Sequence, residues 1–224
     1  MTTIDEQSAD AGGAHAATDT AAADAAAAAG ANPALVGVPT FVIGSVALGL
    51  YLIGFTGASS TALVGMLPIL FMCTGIGQLV ATVWAARTGN GAAAAIFGIF
   101  TGFWLSFAVL ATSLGADWFG PTSTDTAVAT GAQETFLLTW LIGVVVLTVA
   151  SLRLPAMFTV LFVLIDAALL IVLLGTSSGS TGLLFLGGIV VFAFALVGVY
   201  MFVDALGQAT GGKPMPMGKP IVGG

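Results

Sequence analysis

The chain has 224 residues, 58% apolar and 6% charged, with a mean hydropathy of +1.11. A soluble domain carries about a quarter charged residues, so these values exclude a water-facing surface of normal extent and indicate a membrane protein. Four basic against ten acidic residues give a formal charge of -6 and leave no cationic stripe for nucleic acid, while one cysteine, Cys73, and one histidine, His15, exclude an internal disulfide and a thiolate metal cluster.

Residues 1–31 contain Asp5, Glu6, Asp10, Asp19 and Asp24, much alanine, no basic residue and no apolar run. A secretory signal needs a basic start and a continuous apolar region, so the segment is expected to be a disordered, acidic cytoplasmic tail. From Pro33 the composition changes, and six apolar segments follow, each near the twenty residues that a helix needs to cross about 30 Å of hydrocarbon. They run from about Leu35 to Phe55, Thr61 to Ala86, Ala92 to Leu114, Glu134 to Leu152, Pro155 to Leu174 and Leu183 to Leu206. The polar stretch from Gly115 to Gln133 is expected as a loop outside the bilayer. An all-α, six-helix membrane domain over 32–207 and a polar cytoplasmic tail over 208–224 complete the expected organisation.

Charge placement tests the count. Cytoplasmic loops collect Lys and Arg near helix ends, and Arg87, Arg153, Lys213 and Lys219 all fall on one side only if there are six crossings. Both termini are therefore expected in the cytoplasm, and the protein is expected as a multi-pass component of the plasma (inner) membrane. Glycines inside the spans, among them Gly44, Gly49, Gly75, Gly77, Gly98, Gly102, Gly143, Gly187, Gly188 and Gly198, suit close helix packing in lipid.

No phosphate-cradling loop with a following lysine is present, nor a His/Cys/carboxylate cluster with ligand spacing. No enzyme activity, metal or cofactor is expected. The informative residues are polar groups at membrane depth. Gln78 lies mid-span and must face the bundle interior or a wet cavity, either as an interhelical hydrogen bond or as part of a path. Asp166 lies near the middle of the fifth span with no basic residue in any span to pair with it, which marks it as a candidate proton site. Asp204 and Glu134 lie at span ends and read as boundary residues. Asn32-Pro33 is an ordinary helix start, and Phe100, Phe103, Trp104 and Phe107 share helical spacing that reads as core or lipid-facing surface.

Two motifs extend this reading. Asn32-Pro33-Ala34-Leu35-Val36-Gly37-Val38 leads to Phe41, and Gly89-Asn90 is followed by Phe97 and Phe100-Thr101-Gly102-Phe103-Trp104-Leu105-Ser106. With Gln78 and the six-span plan, the pattern from Asn32 to the C-terminus resembles the acetate uptake transporter family, the succinate-acetate permeases. Leu35, the Phe100-Thr101 pair and Ala85 depart from that family's usual proline, Tyr-Gly pair and glutamate. The resemblance implies a hexamer with one pore per subunit and an apolar constriction at Phe41, Phe100 and Ile165. Asn32, Gln78, Asn90 and Tyr200 are then expected along the substrate path.

The function so implied is a transporter or channel for acetate or a similar small monocarboxylate, with succinate a further candidate. A proton crossing with the acid would remove the charge penalty at an apolar ring, which hinders hydrated ions by dewetting. Asp166, adjacent to Ile165, is the expected coupling group, and the N-H groups at the start of the first helix form an expected anion contact. Two other readings stay open: a pore for a small neutral solute such as ammonia, and a membrane scaffold or sensor of the same fold.

Overall fold

The computed structural model describes residues 32–57 and 59–223; the acidic N-terminal segment lies outside the described residues. The helices are α1 (Ala34–Leu52), α2 (Ser59–Pro68), α3 (Ile76–Arg87), α4 (Gly91–Ala116), α5 (Thr126–Ala150), α6 (Ala156–Ser178) and α7 (Thr181–Ala209). A π-helical turn, Ile69–Gly75, joins α2 to α3, and a 3-10 turn, Ser151–Arg153, follows α5. Six helical units, with Ala62–Arg87 counted as one, are long and apolar enough to cross a membrane. At most 39% of any crossing's apolar window is buried within the chain, so most of each helix surface faces outward. Val64, Met72, Val146 and Leu196 are among its exposed apolar side chains, as hydrocarbon solvent requires.

The turns explain why the helices stop where they do. Gly89, at φ 74°, donates to the Ala86 carbonyl at 3.3 Å while Asn90 N-H reaches back to Ala85 O at 2.9 Å. That pair of bonds closes α3 around a left-handed residue, which glycine adopts without a Cβ clash. Asn90 then starts α4, its Oδ1 accepting from Ala93 N at 3.1 Å. Gly179 and Ser180 repeat the device between α6 and α7.

Two expected boundaries are corrected. The fourth crossing begins at Thr126, not near Glu134, because Asp125 accepts from Ala127 N at 2.9 Å and Val128 N at 3.2 Å and so caps a helix. A hydropathy reading misses this turn because it is helical but polar. The second crossing is not one uninterrupted helix, since Pro68 carries no backbone N-H and a π turn follows it directly.

Before that cap, α4 ends on Asp117, a non-glycine residue at φ 53°. Its carboxylate accepts from Ser123 N at 2.6 Å and from the Ser123 hydroxyl. These Ser123 bonds, then weaker ones from Thr122, hold the Asp117 carboxyl below the ordinary carboxylate range. A carboxylate depressed by folding contributes order that is present above its unfolded pKa and lost as pH falls through the lower, folded value. Amide protection in residues 117–125, after division by the intrinsic exchange rate at each pH, should therefore be unchanged between pH 8 and 5 and fall only below about pH 4.

Helix packing follows small residues. α1 lies along α7, α7 along α6, α6 along α5, and α3 along both α1 and α4. A Cβ on Gly188 would sit 2.7 Å from Ile53 Cγ2 and 3.2 Å from the Gly49 carbonyl, and one on Gly198 would sit 2.8 Å from Val42 Cγ2. Gly77 serves the α1–α3 seam, facing Thr40, while Gly37 and Gly44 of α1 face Phe97 of α4 and Thr74 of the π turn. Gly143 is the exception to the packing expectation, with nothing within 4 Å. The consecutive crossings α4 and α5 approach one another least. Phe103, Phe107, Phe136 and Trp140 bridge their gap, with ring centroids 5.4 to 6.3 Å apart.

After α7 the chain does not leave the body. Met215 N donates to Asp204 Oδ1 at 2.7 Å, Tyr200 Oη to Pro216 O at 2.8 Å, and Met157 N to Met217 O at 3.0 Å. Ile221 N and Val222 N both reach Leu152 O at 3.0 Å. The C-terminal segment thus straps the bases of α7, α6 and the α5–α6 turn together.

Candidate functional site: two cavities and an aromatic neck

Two cavities enter the bundle from opposite ends. The distal cavity, about 400 Å³, lies among α1, α4, α5, α6 and α7, with Tyr51, Leu114, Gln133, Thr176 and Leu184 toward its outer end. The terminal cavity, about 260 Å³, takes its name from the chain ends; Asn32, Asn90, Asp204 and Met217 line it. Among the described residues, only Phe41 and Phe100 belong to both walls. They are the partition.

Local structure sets each of these rings. Phe41 stands one turn after Gly37 on α1, where the missing Cβ lets Phe97 of α4 press against the backbone. Phe100 follows Phe97 on α4, and the two rings of the partition meet edge to face, centroids 5.2 Å apart at 68°. Phe194 of α7 lies 5.7 Å from Phe41, Trp104 lies 6.1 Å from Phe41, and Phe162 of α6 stacks on Phe100 at 6.1 Å. Such pairs contribute about 0.5–1.5 kcal/mol beyond area burial, so the neck is held as a packed unit. Ile165 lines the distal wall beside it. No charged residue lies on the distal wall, and Asp204 is the one charged side chain on the terminal wall, among the described residues.

No group of three or more His, Cys, Asp or Glu gathers among the described residues. An apolar neck between two cavities disfavours hydrated ions, which would shed water without finding polar replacements. A small uncharged molecule meets no such penalty.

The sequence profile of the GPR1/FUN34/yaaH family matches residues 15–211. The chain belongs to that family. It is 27% identical over 148 residues to "Acetate permease A" of Emericella nidulans, covering 65% of this chain and 49% of that protein. Its identity to "Accumulation of dyads protein 2" of Saccharomyces cerevisiae is 26% over 173 residues, covering 76% and 59%. The chain therefore spans about half the length of the curated relatives it matches. A solved structure titled as that of the bacterial acetate channel SatP aligns with a TM-score of 0.70 at 18% identity, covering 84% of this chain and 98% of that one, so the two share a fold.

Within this family fold the expected site residues divide. Phe41, Phe100 and Ile165 share the wall of the distal cavity, and Asn32 and Asn90 line the terminal cavity. Both asparagines also cap helices, Asn32 Oδ1 accepting from Ala34 N at 3.0 Å. Gln78, Tyr200 and Asp166 lie on neither wall. Gln78 is wholly buried and donates to the Gly37 carbonyl across the α1–α3 seam, the interhelical bond that was one of its two expected uses. Tyr200 spends its hydroxyl on Pro216. Asp166 follows Ile165 by one residue, hence about 100° around the helix, and its Oδ2 pairs with Thr148 Oγ1 of α5 at 2.7 Å.

Four residues were not singled out for the site from sequence. Trp104 was placed with the general aromatic core, Asp204 with the span boundaries, and Phe162 and Phe194 were not distinguished. The available signal was α7's own periodicity: Val191, Phe194, Gly198, Met201 and Ala205 recur at helical spacing, and Asp204 borders that stripe.

Proposed function

We propose that the protein is a transporter or channel for acetate or a similar small monocarboxylate, passed in its neutral, protonated form through the Phe41–Phe100 neck of each subunit. The observation that carries this reading is a pair of cavities parted only by an uncharged aromatic partition. Family membership supports it, as do the names of relatives, an acetate permease and an acetate channel. A transport role, in place of catalysis, is supported by the same names, a permease and a channel. Purified protein in liposomes should take up labelled acetate faster with an inward proton gradient than without one. Equal flux into empty and protein-containing vesicles would refute the proposal.

In this reading the proton travels on the acid. Asp166 was the expected coupling group, but its place on the α5–α6 seam, off both cavity walls, favours a structural bond to Thr148. Asp166→Asn is therefore expected to keep acetate flux within about twofold and to retain its dependence on the proton gradient. Loss of that dependence at preserved flux would return the coupling role to Asp166.

The absence of charge at the neck equally favours a small neutral solute such as ammonia. Competition separates the two: excess acetate should suppress labelled acetate entry while ammonia entry, if any, is untouched. We further assign the terminal face to the cytoplasm, because Arg87, Arg153, Lys213 and Lys219 fall toward it, and the protein to the plasma membrane. The conduit is lined by one chain, which supports one pore per subunit of the expected hexamer. Native mass spectrometry of the detergent-extracted protein reads the subunit number directly.

A further inference from the structure

The conduit holds one charged group among the described residues, and it has the wrong sign for an anion path. Asp204 is 6% exposed and lines the terminal cavity. Each carboxylate oxygen accepts a hydrogen bond from an N-H donor: Oδ1 from Met215 N at 2.7 Å and Oδ2 from Gln208 Nε2 at 2.9 Å. Both oxygens serving as acceptors is the pattern of an ionised carboxyl. No basic side chain is bonded to it among the described residues. The C-terminal strap supplies one of its two donors and places Met217 on the same wall, so the carboxylate is held beside the route, not free to swing into solvent.

A fixed negative charge in a narrow, partly desolvated cavity lowers the local concentration of anions, and of dianions by the square of the same factor. A neutral acid is unaffected. Resting on the transport reading above, we propose that Asp204 is a charge filter, which bars dicarboxylates and free anions from the terminal side of the neck and leaves neutral monocarboxylic acids to reach it.

Two measurements on the full chain test the filter. In liposomes at pH 7, Asp204→Asn should raise the ratio of succinate's potency to acetamide's potency as blockers of labelled acetate uptake about tenfold, because occupying the terminal cavity does not require an anion to pass the neck, and the asparagine removes the charge while preserving an acceptor for Met215 N. Asp204→Glu should keep the wild-type ratio. Met215→Pro, which deletes the strap's donor but not the charge, should also keep it. An unchanged ratio in Asp204→Asn, or an equal rise in Met215→Pro, overturns the proposal. Independently of any transport, a cysteine placed at Ala93 on the same cavity wall, in a Cys73→Ala background, reports the local field. The cationic thiosulfonate should react faster than the anionic one of equal size, and Asp204→Asn should cut that preference about tenfold. No change in the preference overturns the filter even if acetate transport itself were absent.

Discussion

Replacing Phe41 with alanine is expected to raise acetate permeation about tenfold and to admit longer straight-chain acids than the wild type does. A tenfold change corresponds to roughly 1.4 kcal/mol off the barrier, a modest demand on removal of a ring that forms half of the partition. Phe41 touches Phe100, Trp104 and Phe194, so its loss joins the distal and terminal cavities instead of merely widening one of them. The same truncation costs stability, at most about 3–5 kcal/mol for a buried phenylalanine and less beside existing space. Phe41→Leu is the milder companion, expected to give an intermediate flux with near-native thermal stability. Flux measured per folded molecule, after gel filtration, distinguishes an open neck from a damaged bundle.

Gly188→Val is expected to do the reverse, cutting transport at least tenfold and destabilising the protein by about 2–3 kcal/mol. A valine there would drive its Cβ into Ile53 Cγ2 at 2.7 Å, Leu52 Cβ at 3.0 Å and the Gly49 carbonyl at 3.2 Å. Backbone cannot step aside as a flexible side chain does, so α7 and α1 must part. Those two helices carry Phe194 and Phe41, 5.7 Å apart at the neck, and a displacement at their distal ends is transmitted to it through packed side chains. Thermal unfolding of the purified variant, read beside its flux, checks both effects. Gly143→Val is the control, because nothing lies within 4 Å of the position it would fill.

What could be read in advance follows from what hydropathy and motif spacing encode. Six crossings were legible because lipid imposes one length and one composition on each helix. The Gly89-Asn90 break was legible because a left-handed glycine followed by a cap is a local device. Phe41, Phe100 and Ile165 were named through family resemblance, and all three line the distal cavity. The π turn after Pro68 was not legible, since an altered hydrogen-bond register leaves composition unchanged. Nor was the start of α5 at Thr126, where a polar helix carries no membrane signal.

The site residues that escaped sequence reading did so for a different reason. Asp166 and Asp204 are both single acids near or within apolar spans, and depth alone ranks Asp166 as the more telling. Depth does not encode which face of the helix each occupies: Asp166 meets Thr148 on the α5 side, while Asp204 lines the terminal cavity and is clasped by a segment that reads as an ordinary polar tail. That clasp depends on residues distant in sequence, which no local pattern contains. Tyr200, expected beside the path, is drawn to the same segment through Pro216.

The most direct test of a conduit through the aromatic partition is a size series at position 100. With alanine, leucine, phenylalanine and tryptophan there in turn, the longest straight-chain acid that enters liposomes should shorten stepwise as the side chain grows, and tryptophan should close the neck to acetate. A chain-length limit that stays fixed across all four correctly folded variants would contradict passage between Phe41 and Phe100.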